Sequence, residues 1–231
     1  MKKYRSLILL LFTGLVLTSC SGQNASPAPE TKEEAEKSEG AEAPSEGSGD
    51  NSENAAVPED PGWTDMTFLL EEESLSLPFA FEEITDTWSI DPEADGPAAD
   101  TVLSPGERTT DNIPLISEAW DDMLVSAGFV NLSDRDLPLA ECSVWSITMD
   151  ATWAGEDGRP PLSLPGGLTW GAGGDEIKAA LGEPSVEPFY SESMHYTSYS
   201  YDWKFVRDME FVVYDEEGLT MFNLKTLDPA P

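Results

Sequence analysis

The stretch YSYDWKFVRDMEFVVYDEEGLTMFNLKTL, residues 199–227, decides the architecture of the chain. Its first residues alternate between aromatic and polar side chains, which places one aromatic set on a single face of a strand: Tyr199, Tyr201, Trp203 and Phe205. From Met209 onward the pattern predicts a hairpin that turns at residues 215–218, where acids and a glycine provide a composition that such turns favour. Because three consecutive antiparallel strands need one face covered, we expect the covering element directly upstream of them.

The preceding segment GLTWGAGGDEIKAALGEP, residues 167–184, supplies that cover as a short helix. Asp175 and Glu176 favour a helix start, since carboxylates interact with the unpaired N–H groups of the first turn. An apolar stripe follows at i, i+3 and i+4: Ile177, Ala180 and Leu181. Gly182 then suits a left-handed terminal position, and Pro184 prevents continuation. A glycine-rich phosphate loop is the alternative, but the two acids put negative charge where a phosphate would sit.

Farther upstream, MTFLLEEESLSLPFAF predicts two short strands, residues 67–70 and 74–77, and then a turn of helix through Phe81 and Ile84. Residues 91–111 are polar and rich in Pro and Gly, so we expect a long loop. Further strands are predicted in MLVSAGFVNLS and ECSVWSITMDATW. The predicted fold class is therefore α+β, a mainly antiparallel sheet with a short helix packed on one face.

The N-terminus has the three parts of a secretory signal: basic residues, an apolar run from Leu7 to Leu17, and a small-residue exit. The run is shorter than the roughly 20 residues of a spanning helix. Its last residues, LTSC, resemble the bacterial lipobox, and this resemblance implies that Cys20 carries membrane lipid. We therefore expect residues 1–19 to be a lipoprotein signal peptide and the protein to be lipid-anchored at the cell membrane, facing outside the cytoplasm.

Residues 20–62 consist of the lipidated cysteine and a segment dominated by Ser, Gly, Pro, Ala and Glu. Such a segment buries too little apolar surface to offset the entropy of ordering, so we expect a disordered acidic stalk. Beyond it we expect a β-rich subdomain over residues 63–163 and a helix plus antiparallel sheet over residues 164–231. Cys142 would be the second cysteine of the chain, buried as a small hydrophobe and without a disulfide partner.

The formal net charge of −33 excludes nucleic acid as a partner, because the phosphate backbone would be repelled. It leaves two interpretations. One is attraction to cations or basic partners, and the simpler one is solubility.

Catalytic motifs are missing from the sequence. His195 is the one histidine, and no nucleophile pattern adjoins it, while neither GxSxG nor HExxH occurs. Carboxylates are so numerous that no pair stands out as the acid and base of a glycosidase. We therefore expect a protein that is not an enzyme.

Two weaker ligand sites follow from local patterns. DPEADG, residues 91–96, reproduces the first half of a calcium loop through Asp91, Glu93 and Asp95, although Val102 replaces the glutamate expected at position 12. A solvated acidic loop is the alternative, and no other cofactor is expected. Tyr190 and Tyr196 are the candidates for an exposed ligand-binding patch, since the stripe from Tyr199 is interpreted as core.

A family resemblance covers residues 164–227. The glycine-entered helix, the LGEP that ends it and the aromatic strands that follow are similar to the repeat unit shared by the BamE/SmpA-like small lipoproteins and the β-lactamase inhibitor protein (BLIP) fold. The matching positions are Gly171, Glu176, Ile177, Leu181, Gly182 and Pro184. Gly173 stands where a capping Ser or Thr is expected. The N-terminal half, through LSLPFAFEEI, resembles lipoproteins of Gram-positive gut bacteria.

That resemblance implies a protein-binding or envelope-assembly module. The function predicted is thus a membrane-anchored, extracytoplasmic, non-catalytic lipoprotein that binds a protein partner. The alternative is a surface lipoprotein that binds carbohydrate or a calcium-dependent ligand.

Overall fold

The computed structural model describes residues 62–227. The signal peptide, the lipidated Cys20 and the stalk up to residue 61 lie outside the described residues, and they stay predictions. No helix of the described region is both long enough and apolar enough to cross a membrane.

The described chain folds into fourteen strands and one α-helix. The strands are β1 Thr67–Leu70, β2 Glu73–Ser76, β3 Phe79–Ala80, β4 Ser89–Ile90, β5 Val102–Leu103, β6 Ile113–Ile116, β7 Leu124–Val130, β8 Leu137–Pro138, β9 Ser143–Asp150, β10 Leu162–Ser163, β11 Phe189–Ser191, β12 Tyr196–Trp203, β13 Arg207–Tyr214 and β14 Gly218–Thr226. The helix α1 spans Gly174–Leu181, and four 3₁₀ helices span Phe81–Ile84, Leu139–Glu141, Glu156–Gly158 and Pro165–Gly167.

A nine-stranded antiparallel sheet dominates the architecture. Eight of its strands run in the order β11-β12-β13-β14-β9-β7-β6-β4, and β3 pairs with β9 beside them. The junction between β14 and β9 joins the two halves of the sequence, with Phe222 opposite Met149 and Leu224 opposite Ile147. A three-stranded sheet, β10-β1-β2, and the pair β5-β8 complete the described strands.

A single hydrophobic core joins the large sheet, the three-stranded sheet and α1. Phe68 of β1 meets Phe79 of β3 edge to face, with ring centroids 6.1 Å apart. Ile177 of α1 is fully buried in the same cluster, and burial of such a side chain contributes about 1.5–3 kcal/mol. The helix therefore adds one buried stripe to a core that is built mainly from strands.

The fold class is mainly β, so the predicted α+β class is wrong. The described region contains one α-helix of eight residues, which is too short to form a layer over a nine-stranded sheet. The three-stranded sheet and the 3₁₀ helices supply much of the remaining cover. Antiparallel pairing and one short packed helix were correctly expected, but a single helix of this length does not make the fold α+β.

The boundaries of α1 confirm the start and stop predictions. Glu176 accepts a hydrogen bond from the backbone N–H of Gly173 at 2.7 Å, which satisfies one otherwise unpaired donor at the helix start. Gly182 follows the helix with a φ of 86°, in the region that favours glycine. The N–H of Gly182 closes the last turn on the carbonyl of Lys178 at 2.9 Å.

The aromatic strand is placed as predicted except at its end. Tyr199 and Tyr201 are buried under α1, and the hydroxyl of Tyr201 donates to the carbonyl of Gly182 at 3.1 Å. Burial raises the pKa of Tyr201 to about 12, which keeps that donor protonated. Phe205, in contrast, is 86% exposed, because the chain turns through positive φ at Lys204 and Phe205 instead of continuing the strand.

Candidate functional site

The two faces of the large sheet differ in burial. Along β13 and β14 the residues that point toward the core are almost completely buried, among them Phe211 and Phe222. Because successive side chains of a strand point to opposite faces, the intervening residues form a second face that we call the outer face. α1 lies on the core side, where Lys178 stands over the ring of Tyr199 at 5.9 Å.

A line of residues crosses the outer face in register from one edge of the sheet to the other. Each member is opposite the next on the neighbouring strand, and Ile116 extends the line past Leu124: Phe189, Ser198, Val212, Met221, Asp150, Leu124 and Ile116. We call this line the outer row. It joins strands from both halves of the chain, so its geometry exists only in the assembled sheet.

The outer row exposes large apolar side chains. Phe189 is 64% exposed, Leu124 is 60% exposed and Ile116 is 44% exposed. Next to the row, Tyr196 and Tyr214 form a cross-strand pair with ring centroids 5.5 Å apart. Single exposed hydrophobes are normal on a protein surface, but several aligned on one sheet face form a surface suited to association.

The remainder of the outer face is polar and mainly acidic. Asp202 and Asp208 are directly opposite each other on β12 and β13, an arrangement that costs stability because like charges repel. The hydroxyl of Ser198 donates to Glu210 at 2.8 Å. Lys225 is the cation of this part of the face, and its Nζ lies 2.9 Å from Asp111 Oδ2.

The two aspartates that surround Lys225 are shifted in opposite directions. The hydrogen bond from Lys225 lowers the pKa of Asp111 below its usual value. Partial burial of the carboxyl group raises the pKa of Asp208, although the residue as a whole is exposed, and Glu210 and Asp202 raise it further against the opposing effect of Lys225. Ionisation of Asp208 therefore destabilises the folded state, and a further cation close to the carboxylate would reduce this destabilisation.

One end of the outer face is covered by the chain itself. The guanidinium of Arg108 lies 5.6 Å from the ring centre of Trp145 and donates to the carbonyl of Leu227 at 3.1 Å. The indole of Trp145 lies directly over Gly128, where a Cβ would come within 2.6 Å of the ring. The outer row is at the opposite, open end.

Tyr190 and Tyr196, the predicted ligand-binding pair, are not brought together. Tyr196 lies on the outer face, while Tyr190 is opposite Thr197 and so belongs to the other face. The hydroxyl of Tyr190 donates to Asp215 at 2.9 Å, and this hydrogen bond raises the pKa of the tyrosine. Tyr196 is therefore the member of the pair that borders the outer row.

The predicted calcium loop is a turn on the surface. Asp91 Oδ1 accepts a hydrogen bond from the backbone N–H of Glu93 at 2.8 Å, and Glu93 and Asp95 are exposed. Between residues 62 and 227, no group of three or more Asp, Glu, His or Cys side chains is arranged to hold a metal ion. Cys20, the predicted lipidation site, lies outside the described residues.

The glycine loop before α1 is explained by packing. A Cβ at Gly174 would overlap with the hydroxyl of Tyr199, so glycine permits the close approach of helix and sheet. The adjoining cleft is lined by Glu176 and by Asp215, Glu216 and Glu217 of the β13–β14 turn. These four acids give the cleft a negative charge that is unsuitable for a phosphate.

His195 has an acidic neighbour but no nucleophile. Its Nδ1 lies 3.8 Å from Asp215 Oδ2, on an exposed turn where His195 has a φ of 56°. Within the part of the chain that the structure describes, no hydroxyl or thiol is hydrogen-bonded to this imidazole. The thiol of Cys142 is buried, as predicted, and burial raises its pKa.

Sequence reasoning missed the outer row. Leu124 and Val125 are adjacent apolar residues, so alternation alone does not say which of them is buried. Ile116 belongs to β6, and no strand was predicted there. Phe189 directly follows a segment that contains two prolines, Pro184 and Pro188, and no strand was predicted there. The alignment of these exposed apolar residues in one row can be recognised only when the strand order is known.

Comparisons with known proteins add little. No family model matches the chain, and no curated protein matches it. Among solved structures, the chain has similarity to a DUF4309 family protein, YjgB, from Bacillus subtilis subsp. subtilis str. 168, with 18% identity over 51% of this chain and 67% of that chain and a TM-score of 0.27. At that TM-score the similarity supports no statement about fold or function, and the resemblance to the BamE/SmpA-like and BLIP-like unit stays a prediction.

Proposed function

We propose that the protein is a lipid-anchored, extracytoplasmic, non-catalytic module whose folded unit binds a basic protein partner through the outer face. The observation that carries this proposal is the outer row, in which Phe189, Leu124 and Ile116 are exposed on a continuous sheet surface. Phe189 lies near one edge of the sheet and Leu124 and Ile116 near the other, with Asp150 between them, so the surface offers a partner apolar contacts on both sides of a carboxylate.

The charge of the outer face specifies the chemistry of the partner. Asp202 and Asp208 repel each other across two strands, and Glu210 and Asp150 lie on the same face. A partner that places Lys or Arg side chains over these carboxylates relieves the repulsion on binding. Complementary charge of this type also accelerates encounter and selects against acidic proteins.

Lipidation of Cys20 would hold the protein at the membrane, and the acidic segment that follows it would extend the reach of the folded unit. Each buried methylene of an acyl chain contributes about 0.8 kcal/mol, so acyl chains anchor a protein without a spanning segment. The sequence resemblance of residues 164–227 to envelope modules favours the same reading. Partition of the full chain into the detergent phase of Triton X-114, lost in Cys20→Ala, is the expected result.

The binding surface is tested by capture from solubilised envelope with the full chain, read by mass spectrometry. The double variant Leu124→Ser/Phe189→Ser should lose the partner, since it removes two exposed side chains from the outer row. Leu69→Ser/Phe205→Ser is the matched control, because it removes a leucine and a phenylalanine that are also exposed, 44% and 86%, but lie elsewhere.

Support requires a single enriched protein with a basic surface that the control retains, the outer-row variant loses and 0.5 M salt weakens. Equal capture by both double variants, or an acidic partner, would contradict the proposal. The same capture with calcium and with chelator tests the loop of Asp91, because a calcium-dependent interaction would be lost with chelator.

A further inference from the structure

We propose that a second cleft, lined by Arg159 and Trp170, is a binding site for a neutral saccharide. It is distinct from the outer row and from the acidic cleft at the start of α1. The cleft has a volume of about 500 Å³, within the range of about 300–1,000 Å³ typical of small-ligand sites. Residues from three segments line it, among them Arg159, Trp170, Thr169, Glu156 and Glu217. Its principal groups are thus one guanidinium, one indole, one hydroxyl and two carboxylates.

Arg159 is the residue that points to a ligand. Its side chain is 11% exposed, yet its guanidinium makes long contacts: Nε donates to the carbonyl of Ala154 at 3.3 Å, and Nη2 lies 3.4 Å from Glu217 Oε2. Charge-assisted hydrogen bonds are typically about 2.7–2.9 Å. Among residues 62–227, then, two of the five N–H donors have partners, and both contacts are weak. A ligand that accepts hydrogen bonds would therefore stabilise this nearly buried guanidinium by pairing its remaining N–H donors.

Trp170 provides a fixed aromatic surface. Its indole N–H donates to the carbonyl of Pro160 at 2.9 Å, and its ring packs against Phe222 with centroids 5.5 Å apart. Because these contacts hold the ring from two sides, the surface that it presents to the cleft is preorganised, which lowers the entropic cost of binding. Aromatic rings pack well against the C–H faces of sugar rings. Trp153, which precedes the anchoring Ala154, is 77% exposed and offers a second indole on the same segment.

The charges of the cleft select a neutral ligand. Arg159 provides one positive charge, whereas Glu156 and Glu217 provide two negative charges, so an anionic ligand meets a net negative site. A cationic ligand meets the guanidinium. A sugar hydroxyl avoids both conflicts, because its oxygen accepts from an Arg159 N–H while its proton is donated to Glu217. Vicinal hydroxyls suit the fork of the guanidinium, and a ring face suits Trp170.

The test is isothermal titration of the full chain, held in a detergent without a sugar headgroup, with four probes of three classes. Maltotriose and the N-acetylglucosamine trimer represent neutral saccharides, trigalacturonic acid an anionic one and trilysine a cationic peptide. We expect at least one neutral trisaccharide to bind and the other two classes to bind more weakly by at least tenfold. The indole ¹H–¹⁵N resonance of Trp170, assigned from Trp170→Phe, should shift on binding.

Matched variants localise the site. Arg159→Gln is expected to weaken binding at least tenfold, and Glu217→Gln, which alters a half-exposed side chain and so preserves the fold, at least threefold. Arg108→Gln is the control, because Arg108 also adjoins a tryptophan, Trp145, but at the covered end of the outer face. It should leave the affinity unchanged, as should the outer-row variant Leu124→Ser/Phe189→Ser.

Three results would overturn the inference: no binding of either neutral saccharide at millimolar concentration, tighter binding of the anionic or cationic probe, or full retention of affinity in Glu217→Gln. Because the outer row contributes nothing to this cleft, failure here leaves the proposed protein-binding function standing, and failure of that function leaves the cleft untouched.

Discussion

Lys225 shows at the scale of single residues how one cation serves two carboxylates unequally. It donates directly to Asp111, which lowers the pKa of that aspartate, but it opposes only part of the burial and repulsion that raise the pKa of Asp208. A lowered folded-state pKa stabilises the native state above the unfolded pKa, and this contribution is lost as pH falls through the folded value. A raised pKa has the opposite sign, so ionisation of Asp208 destabilises the native state.

We therefore predict opposite effects of two isosteric substitutions at neutral pH. Asp111→Asn should lower the free energy of unfolding, whereas Asp208→Asn should raise it by about 0.2–1 kcal/mol, the usual size of a cross-strand pair interaction. The Asp111 difference should shrink as pH falls below about 4, the unperturbed value, toward the lowered folded value, whereas the Asp208 difference should shrink at higher pH, between its raised folded value and about 4. Urea unfolding between pH 3 and pH 7 measures them, with Asp95→Asn on the exposed loop as the control. Effects of equal sign would refute the assignment.

At the scale of secondary-structure elements, the β13–β14 turn is joined to the loop before α1 by backbone contacts. Gly171 donates its N–H to the carbonyl of Leu219 at 3.0 Å, and Leu219 donates back to Ala172 at 2.9 Å. Gly218 lies against the backbone of Gly171 with a φ of 71°, and a Cβ there would overlap with that backbone. The joint therefore combines a conformational need for glycine with a steric one.

Two alanine substitutions separate those needs. Gly182→Ala introduces a Cβ at a φ of 86° and a ψ of −164°, a region occupied almost exclusively by glycine, with nothing within 4 Å, so it should cost about 1–3 kcal/mol from strain alone. Gly218→Ala also places a Cβ at a positive φ, 71°, and adds an overlap with rigid backbone, for which overpacking typically costs about 1–3 kcal/mol more. Chemical unfolding of both variants gives the comparison. Equal losses would mean that the turn moves away without cost.

At the scale of the molecule, the large sheet runs across the expected division between residues 163 and 164. Five pairs in register join β14 to β9, and the core contains side chains from both segments. A fragment that ends at 163 would lose β14, one of the neighbours of β9, and a fragment that begins at 164 would expose β14 as a sheet edge.

We accordingly predict that residues 62–163 and residues 164–231, expressed separately, do not unfold cooperatively, and that they associate when co-expressed. Dispersion of amide resonances and urea unfolding of each fragment provide the measurement. A cooperative transition in the 164–231 fragment alone would show that the C-terminal part is an independent subdomain.

Local structure was predictable from the sequence where one short segment contains all the information. Caps and stops defined α1, and the apolar and polar pattern upstream predicted strands at residues 67–70 and 74–77, close to β1 and β2. The acid-and-glycine turn that precedes β14 was also found. Such features depend on neighbours within a few residues, which is why periodicity and capping chemistry identify them.

Long-range features were not predictable. Strands of two residues, such as β4 and β5, carry too little pattern, and their pairing depends on the rest of the sheet. The order that places β14 beside β9 brings together segments about 70 residues apart, and the outer row depends on that order. The predicted site residues were therefore chosen from local chemistry, whereas the structure assigns the candidate surfaces to residues that no local pattern marks.

The position of β14 has a consequence for the timing of folding. This strand is the last one of the described region, yet it occupies an interior place between β13 and β9. The sheet is not continuous until residues 218–226 pair between β13 and β9, and non-local pairing of this kind slows folding. If the protein is exported before it folds, as we propose, it benefits from such a delay, because its interior stays open while the polypeptide is still in transit.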